Sequence, residues 1–190
     1  MTITNTIFKS IKKASIVAFS SIALFSCSDD DDAPEAVNEE EVITTVTINL
    51  TPIAGGDAIT LMSQDLDGDG PNPPVVTVEN LAANTTYNGT ITLLNETESP
   101  AEDITEEVAD EDDHHQFFYT VSGSINNTTY SDTDENGNPV GIMFTLSTGD
   151  VGAATLGVTL RHEPKKPNNG TLADAGGATD VDQSFSLTVE

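Results

Sequence analysis

The chain has 190 residues, and 6 Lys and Arg against 32 Asp and Glu give it a formal net charge of −26 at pH 7. Phosphate backbones are bound through several Lys or Arg contacts, so nucleic acid and anionic lipid surfaces are poor candidates for partners. Cations and basic protein surfaces are the partners that such a charge favours.

The first residues read as the leader of an exported lipoprotein. Lys9, Lys12 and Lys13 precede an apolar stretch from about Ile16 to Phe25, and after the small Ser26 comes Cys27, followed by Ser28 and Asp29 to Asp32. That apolar stretch is about half the length of a membrane helix, which needs roughly 20 residues. The expectation is a signal peptide over 1–26, lipid on the sulfur of Cys27, and a lipidated acidic tether over 27–41. With two or three acyl chains on Cys27, attachment to the bilayer is stable. Cleavage would remove three cations and no acid, leaving Arg161, Lys165 and Lys166 against 32 carboxylates, a net charge of −29.

Residues 28–41, which include Glu35, Glu39, Glu40 and Glu41, show no apolar period. At Val42 this changes: Val42, Val46, Ile48 and Leu50 alternate with Ile43, Thr45, Thr47 and Asn49, the period of a half-buried strand. Pro52 and the Gly55-Gly56 turn end it, and Ile59 with Leu61 begins a second strand. Next comes Asp65-Leu66-Asp67-Gly68-Asp69-Gly70, which fits the first half of a calcium loop, D-x-[DN]-x-[DN]-G. Alternate side chains can converge there on a hard cation if glycine permits the turn. Val76 stands where a bidentate glutamate would be, and Pro71, Pro73 and Pro74 forbid an exiting helix, so the loop is not an EF-hand. Asp65, Asp67 and Asp69 are calcium candidates, against the alternative that they are ordinary turn residues.

Val76 and Val78 predict a third strand, and Tyr87, Gly89, Ile91 and Leu93 a fourth. The turn before it, Leu81-Ala82-Ala83-Asn84-Thr85-Thr86-Tyr87, resembles the tyrosine corner of fibronectin type III and related sandwiches, in which the phenol bonds back to the chain. Ser99-Pro100-Ala101-Glu102 carries helix-start signals. Ile104 and Val108 lie one turn apart, predicting a short acidic helix or ordered loop over about 100–112. Eight of the twelve residues from 102 to 113 are carboxylates, a repulsion that a bound cation or the basic run Arg161 to Lys166 would relieve.

Phe117, Tyr119 and Val121 mark a fifth strand. Asp132-Thr133-Asp134-Glu135-Asn136-Gly137 repeats the half-motif, with Met143 at the glutamate position, and makes Asp132, Asp134 and Asn136 further calcium candidates. Ile142, Phe144 and Leu146, then Leu156, Val158 and Leu160, and last Phe185, Leu187 and Val189 complete eight strands. Short strands divided by Gly, Pro, Asn and Asp clusters predict an all-β fold over 42–190, a single immunoglobulin/fibronectin-III-like β-sandwich.

The three histidines form a second constellation. His162 continues the phase of Leu156, Val158 and Leu160 and so falls at the rim of the core-facing side. His114 and His115 end the acidic segment and point to opposite faces of a strand, so at most one of them joins a site there. With Asp110, Glu111 or Glu163 they could supply the three or four ligands of zinc or copper. Since the only cysteine is the expected lipid carrier, such a site is built from imidazole and carboxylate. The alternative is a half-buried His162 bonded to a carboxylate.

Several stretches together resemble a group of small uncharacterised Bacteroidota lipoproteins: the lipobox, Glu39-Glu40-Glu41-Val42-Ile43-Thr44-Thr45-Val46, Asp65 to Pro71, Leu93-Leu94-Asn95-Glu96 and Leu160-Arg161-His162-Glu163-Pro164. That group carries the label of the type 1 periplasmic-binding-fold superfamily, which implies two α/β lobes and a solute-binding role, whereas the strand pattern predicts one β domain. The resemblance also implies that Ser28 to Asp32 act as an export signal to the cell surface, and so anchorage in the outer membrane, facing the periplasm or the cell surface. The functional expectation is a non-enzymatic binding or accessory module that captures a divalent cation or small ligand, with a TonB-dependent transporter as partner. The alternative is a calcium-rigidified adhesin or glycan-binding sandwich. No Gly-x-Ser-x-Gly elbow, phosphate loop or free thiol points to catalysis.

Overall fold

A computed structural model describes residues 41–190 apart from Asp69. Cys27, the expected signal peptide and the tether up to Glu40 lie outside the described residues, as does Asp69. In chain order the elements are β1 (Thr45–Pro52), β2 (Ile59–Gln64), β3 (Val75–Thr77), β4 (Thr86–Asn95), β5 (Glu102–Asp103), α1 (Ile104–Asp110), β6 (His115–Gly123), β7 (Ile125–Tyr130), β8 (Met143–Thr148), β9 (Gly152–His162), α2 (Leu172–Ala175) and β10 (Ala178–Val189).

Alternation along the longer strands β1, β4, β6, β8, β9 and β10 gives each an apolar face, and these faces are buried against one another in two antiparallel sheets. One sheet runs β3-β2-β1-β4-β8-β7, with β5 added at the end of β4; the other runs β10-β9-β6. Ile48, Leu50, Leu61, Ile91, Leu93, Phe144 and Leu146 of the first sheet meet Phe117, Leu156, Val158, Leu160, Phe185 and Val189 of the second in one apolar cluster. The expected all-β sandwich is therefore what the chain forms. The two α/β lobes implied by the family label have no counterpart among the described residues.

The tyrosine corner forms as read. Tyr87 is fully buried, and its phenol oxygen accepts a hydrogen bond from the Ala82 amide at 2.7 Å. Other details differ from the sequence reading. The helix starts at Ile104, because Glu102 and Asp103 pair with Asn95 and Leu94 of β4. Asp103 then caps it, its carboxylate accepting from the Thr105 amide at 2.9 Å. Ile104 and Val108 are buried on its inner face as expected. β7, with the sequence INNTTY, was not expected, since its Asn and Thr residues carry no apolar alternation. β3 is an edge strand with all three residues exposed, and Val42 is 54% exposed.

β4 and β8 approach closely because Gly89 faces Phe144 in register. A Cβ on Gly89 would fall 2.5–2.8 Å from three atoms of the Phe144 ring, which is itself buried. Gly89→Ala should therefore cost about 1–3 kcal/mol of stability through overpacking. Urea unfolding checks this, with the expected result a lower midpoint and an unchanged slope.

Candidate metal centre

β6 and β9 pair antiparallel with His115 directly opposite His162, in the same register that aligns Phe117 with Leu160. His115 opens β6 and His162 closes β9, so the two rings meet at the end of the three-stranded sheet. Their centroids are 4.7 Å apart and the rings are stacked at 26°. His162 is half-buried in the phase of Leu156, Val158 and Leu160, while His115 is fully buried.

A third group reaches the pair from the other sheet. Glu41, the first described residue and four residues ahead of β1, places Oε1 at 3.0 Å from His115 Nε2. Its side chain is 7% exposed, that of His115 0%. One donor atom from each of Glu41, His115 and His162 lies within 4.8 Å of the others. Tetrahedral donors about 2.0–2.2 Å from a common zinc ion lie roughly 3.3–3.6 Å apart, so side-chain movements of up to about 1 Å would bring the three onto one ion.

Two features show that this donor set fits a cation. His115 Nδ1 lies 3.2 Å from the Glu111 carbonyl oxygen; a carbonyl only accepts, so Nδ1 carries its hydrogen. Nε2 then faces a carboxylate oxygen, and two lone pairs at 3.0 Å require a proton or a metal ion between them. The other oxygen of Glu41, Oε2, is buried with no hydrogen-bond partner among the described residues, an arrangement that is costly unless something satisfies it. With a proton in place, burial works against the imidazolium, but the hydrogen bond and charge of Glu41, the Glu111 carbonyl and the charge of Asp180 outweigh it and raise the His115 pKa. Carboxylates crowd the site from the helix side as well. The Glu107 pKa is raised, first by burial and then by the charges of Glu41, Glu111 and Glu102. The local field therefore favours any cation.

The other zinc and copper candidates are placed elsewhere. His114 points outward, with Nδ1 at 2.9 Å from Glu163 Oε1 and Nε2 at 3.5 Å from Asp113. The amide of Glu163, a residue held at φ 52, donates to the His114 carbonyl. Asp110 ends α1 with an exposed side chain, and Glu111 contributes its carbonyl rather than its carboxylate. Glu41, expected in the acidic tether, is instead the third donor of the centre. Nothing in Glu39-Glu40-Glu41 distinguishes the third glutamate except its place just ahead of the first apolar alternation.

In the two Asp-rich loops the carboxylates serve mainly as caps. Asp132 accepts from the amides of Gly141 at 2.7 Å and Met143 at 2.8 Å. Asp134 Oδ1 accepts from the amides of Asn136 and Asn138, and its Oδ2 from the Asn138 side chain and Lys166; Asn136 itself lies in the turn between them. In the first loop Asp67 accepts from the Asn72 backbone and side chain, which lowers its pKa, while Asp65 Oδ1 is buried without a partner among the described residues.

The basic run is divided among several partners. Lys165 pairs with Asp174 at 3.1 Å, Arg161 donates to the Gly177 carbonyl at 3.2 Å, and Lys166 reaches the Asp112 carbonyl and Asp134 Oδ2. The Asp134 side chain is fully buried and that of Lys166 nearly so. Burial alone would raise the Asp134 pKa, but the amides of Asn138 and Asn136, the Asn138 side chain and the Lys166 charge bring it below the ordinary value. A depressed folded pKa means that the stabilisation is complete above the unfolded value of about 3.9 and is lost as pH falls through the lowered one. Asp134→Asn should therefore cost about 1.5–3 kcal/mol at neutral pH and flatten the loss of stability on acidification, as read from urea midpoints at pH 7, 5, 4 and 3.

No family model, curated protein or solved structure matches the chain.

Proposed function

We propose that this protein is a non-enzymatic module, attached to the outer membrane by lipid on Cys27, that captures a divalent transition-metal ion with Glu41, His115 and His162. The observation that carries this reading is the buried Glu41–His115 contact, in which Nε2 faces one carboxylate oxygen and the second oxygen has no partner among the described residues. Two imidazoles and a carboxylate suit zinc, copper, nickel or iron, whereas calcium and magnesium prefer oxygen alone. Burial of two of the three donors leaves a substrate little access and favours holding an ion over acting on a bound molecule. A net charge of −26 draws cations towards the domain. The leader context of Cys27 supports the anchorage, and a TonB-dependent transporter is the proposed partner for an ion held there.

Native mass spectrometry and calorimetry of the full-length chain with zinc and copper test the reading. The expected result is one ion per chain at micromolar or tighter affinity, with calcium failing to compete. His115→Ala and His162→Ala should each weaken binding by at least about tenfold, the order seen when even a supporting partner of a metal ligand is lost. Absence of a bound ion at micromolar concentrations would overturn the proposal.

A further inference from the structure

Two of the three donors belong to one sheet and the third to the chain that leads into the other. His115 and His162 belong to the β10-β9-β6 sheet, whereas Glu41 belongs to the chain that leads into β1 of the other. Pairing in that sheet begins at Thr44, whose amide donates to the Leu94 carbonyl at 2.9 Å and whose carbonyl accepts from the Asp65 amide at 2.7 Å. Ahead of Thr44 the chain has little else to hold it: Val42 is exposed, and Ile43 is half-buried against the apolar cluster. Among the described residues the Glu41 carboxylate is the polar side chain that fastens residues 41–43, and what it fastens to is the opposite sheet.

We propose that the metal ion is a latch. On the reading of the centre given above, an ion shared by Glu41, His115 and His162 docks residues 41–43 onto the end of the three-stranded sheet, and its loss releases them while the pairing from Thr44 onward stays intact. The physical ground is Glu41 Oε2, buried with no partner among the described residues. A metal ion engages the carboxylate together with both imidazoles; without one, the carboxylate keeps only its contact to protonated His115 and leaves Oε2 unsatisfied, so that swinging out into water competes with staying docked. His115 and His162 have no such freedom, because each sits within a paired strand in register with the core. Occupancy is thereby converted into a change at the point where the domain joins the residues that precede it, a place where a neighbouring chain or receptor could read it.

Hydrogen exchange followed by mass spectrometry on the full-length chain, with and without saturating zinc, tests the latch. The expected result is slowing by about tenfold or more of the amides of Val42 and Ile43, with the amides of β9 unchanged. In Glu41→Gln, with zinc or without, the same amides are expected to exchange at the zinc-free rate of the unaltered chain. Calorimetry on the same samples separates the failures. If no zinc binds, the capture reading and the latch both fall. If zinc binds and exchange at residues 42–43 is unaltered, or if Glu41→Gln is protected equally, the latch falls and capture stands.

Discussion

The register of β6 against β9 is the constraint on which the rest of the molecule depends. It aligns Phe117 with Leu160, Tyr119 with Val158 and Val121 with Leu156, so the sheet turns one continuous apolar face to its partner. The same register sets His115 opposite His162 at the sheet's end. Because side chains alternate with a period of two, a slip of one residue would turn His115 outward together with Phe117, Tyr119 and Val121. The apolar core thus enforces the geometry of the histidine pair, and the pair needs no separate scaffold. Where the core ends, the two imidazoles continue its inward face into a region populated by carboxylates.

Those carboxylates explain how a chain with so few cations folds at all. Many serve as acceptors for backbone amides, whether or not they also hold a cation: Asp103 caps α1, Asp174 accepts from the Asn169 amide, and Asp132 and Asp134 organise the turn ahead of β8. Hydrogen bonds to a charged acceptor are stronger than neutral ones, so the acidity is used locally to fix loops. Of the cations after the expected leader, Lys165 and Lys166 are spent on Asp174 and Asp134, and Arg161 on a carbonyl. Glu41, Glu107 and Asp180 gather around His115. An excess of negative charge is concentrated where imidazole nitrogens are available.

The fold was legible wherever apolar residues alternated with polar ones, as in Tyr87-Gly89-Ile91-Leu93 and Leu156-Val158-Leu160, because period-two burial leaves a direct trace in sequence. It was not legible in β7, whose Asn and Thr residues are held by pairing with β8 and by the Tyr130 phenol donating to the Phe117 carbonyl. The helix start was misplaced because Ser99-Pro100 carries capping chemistry that the pairing of Glu102 and Asp103 with β4 overrides. Half of the centre was visible as well. His162 was readable from its phase, and the parity of His114 and His115 implied that only one could turn inward. Glu41 was not readable, because its role depends on contact with a strand 74 positions away, which no local pattern encodes.

This difference in legibility has a physical meaning. The histidines are embedded in strands whose pairing would persist with or without an ion, so their positions are fixed by the same forces that fix the core. Glu41 lies beyond the first paired residue, and its position is fixed by the contact itself. A donor set with two preorganised members and one weakly held member binds an ion in two stages. The imidazoles supply a site whose ordering has already been met by folding, and the carboxylate adds charge only by giving up the conformational freedom of the residues around it. The affinity of the complete set is therefore reduced by the ordering of residues 41–43. In the same proportion, an ion captured as proposed would control whether those residues are ordered, since a ligand can shift an equilibrium only by the difference in its affinity for the two states.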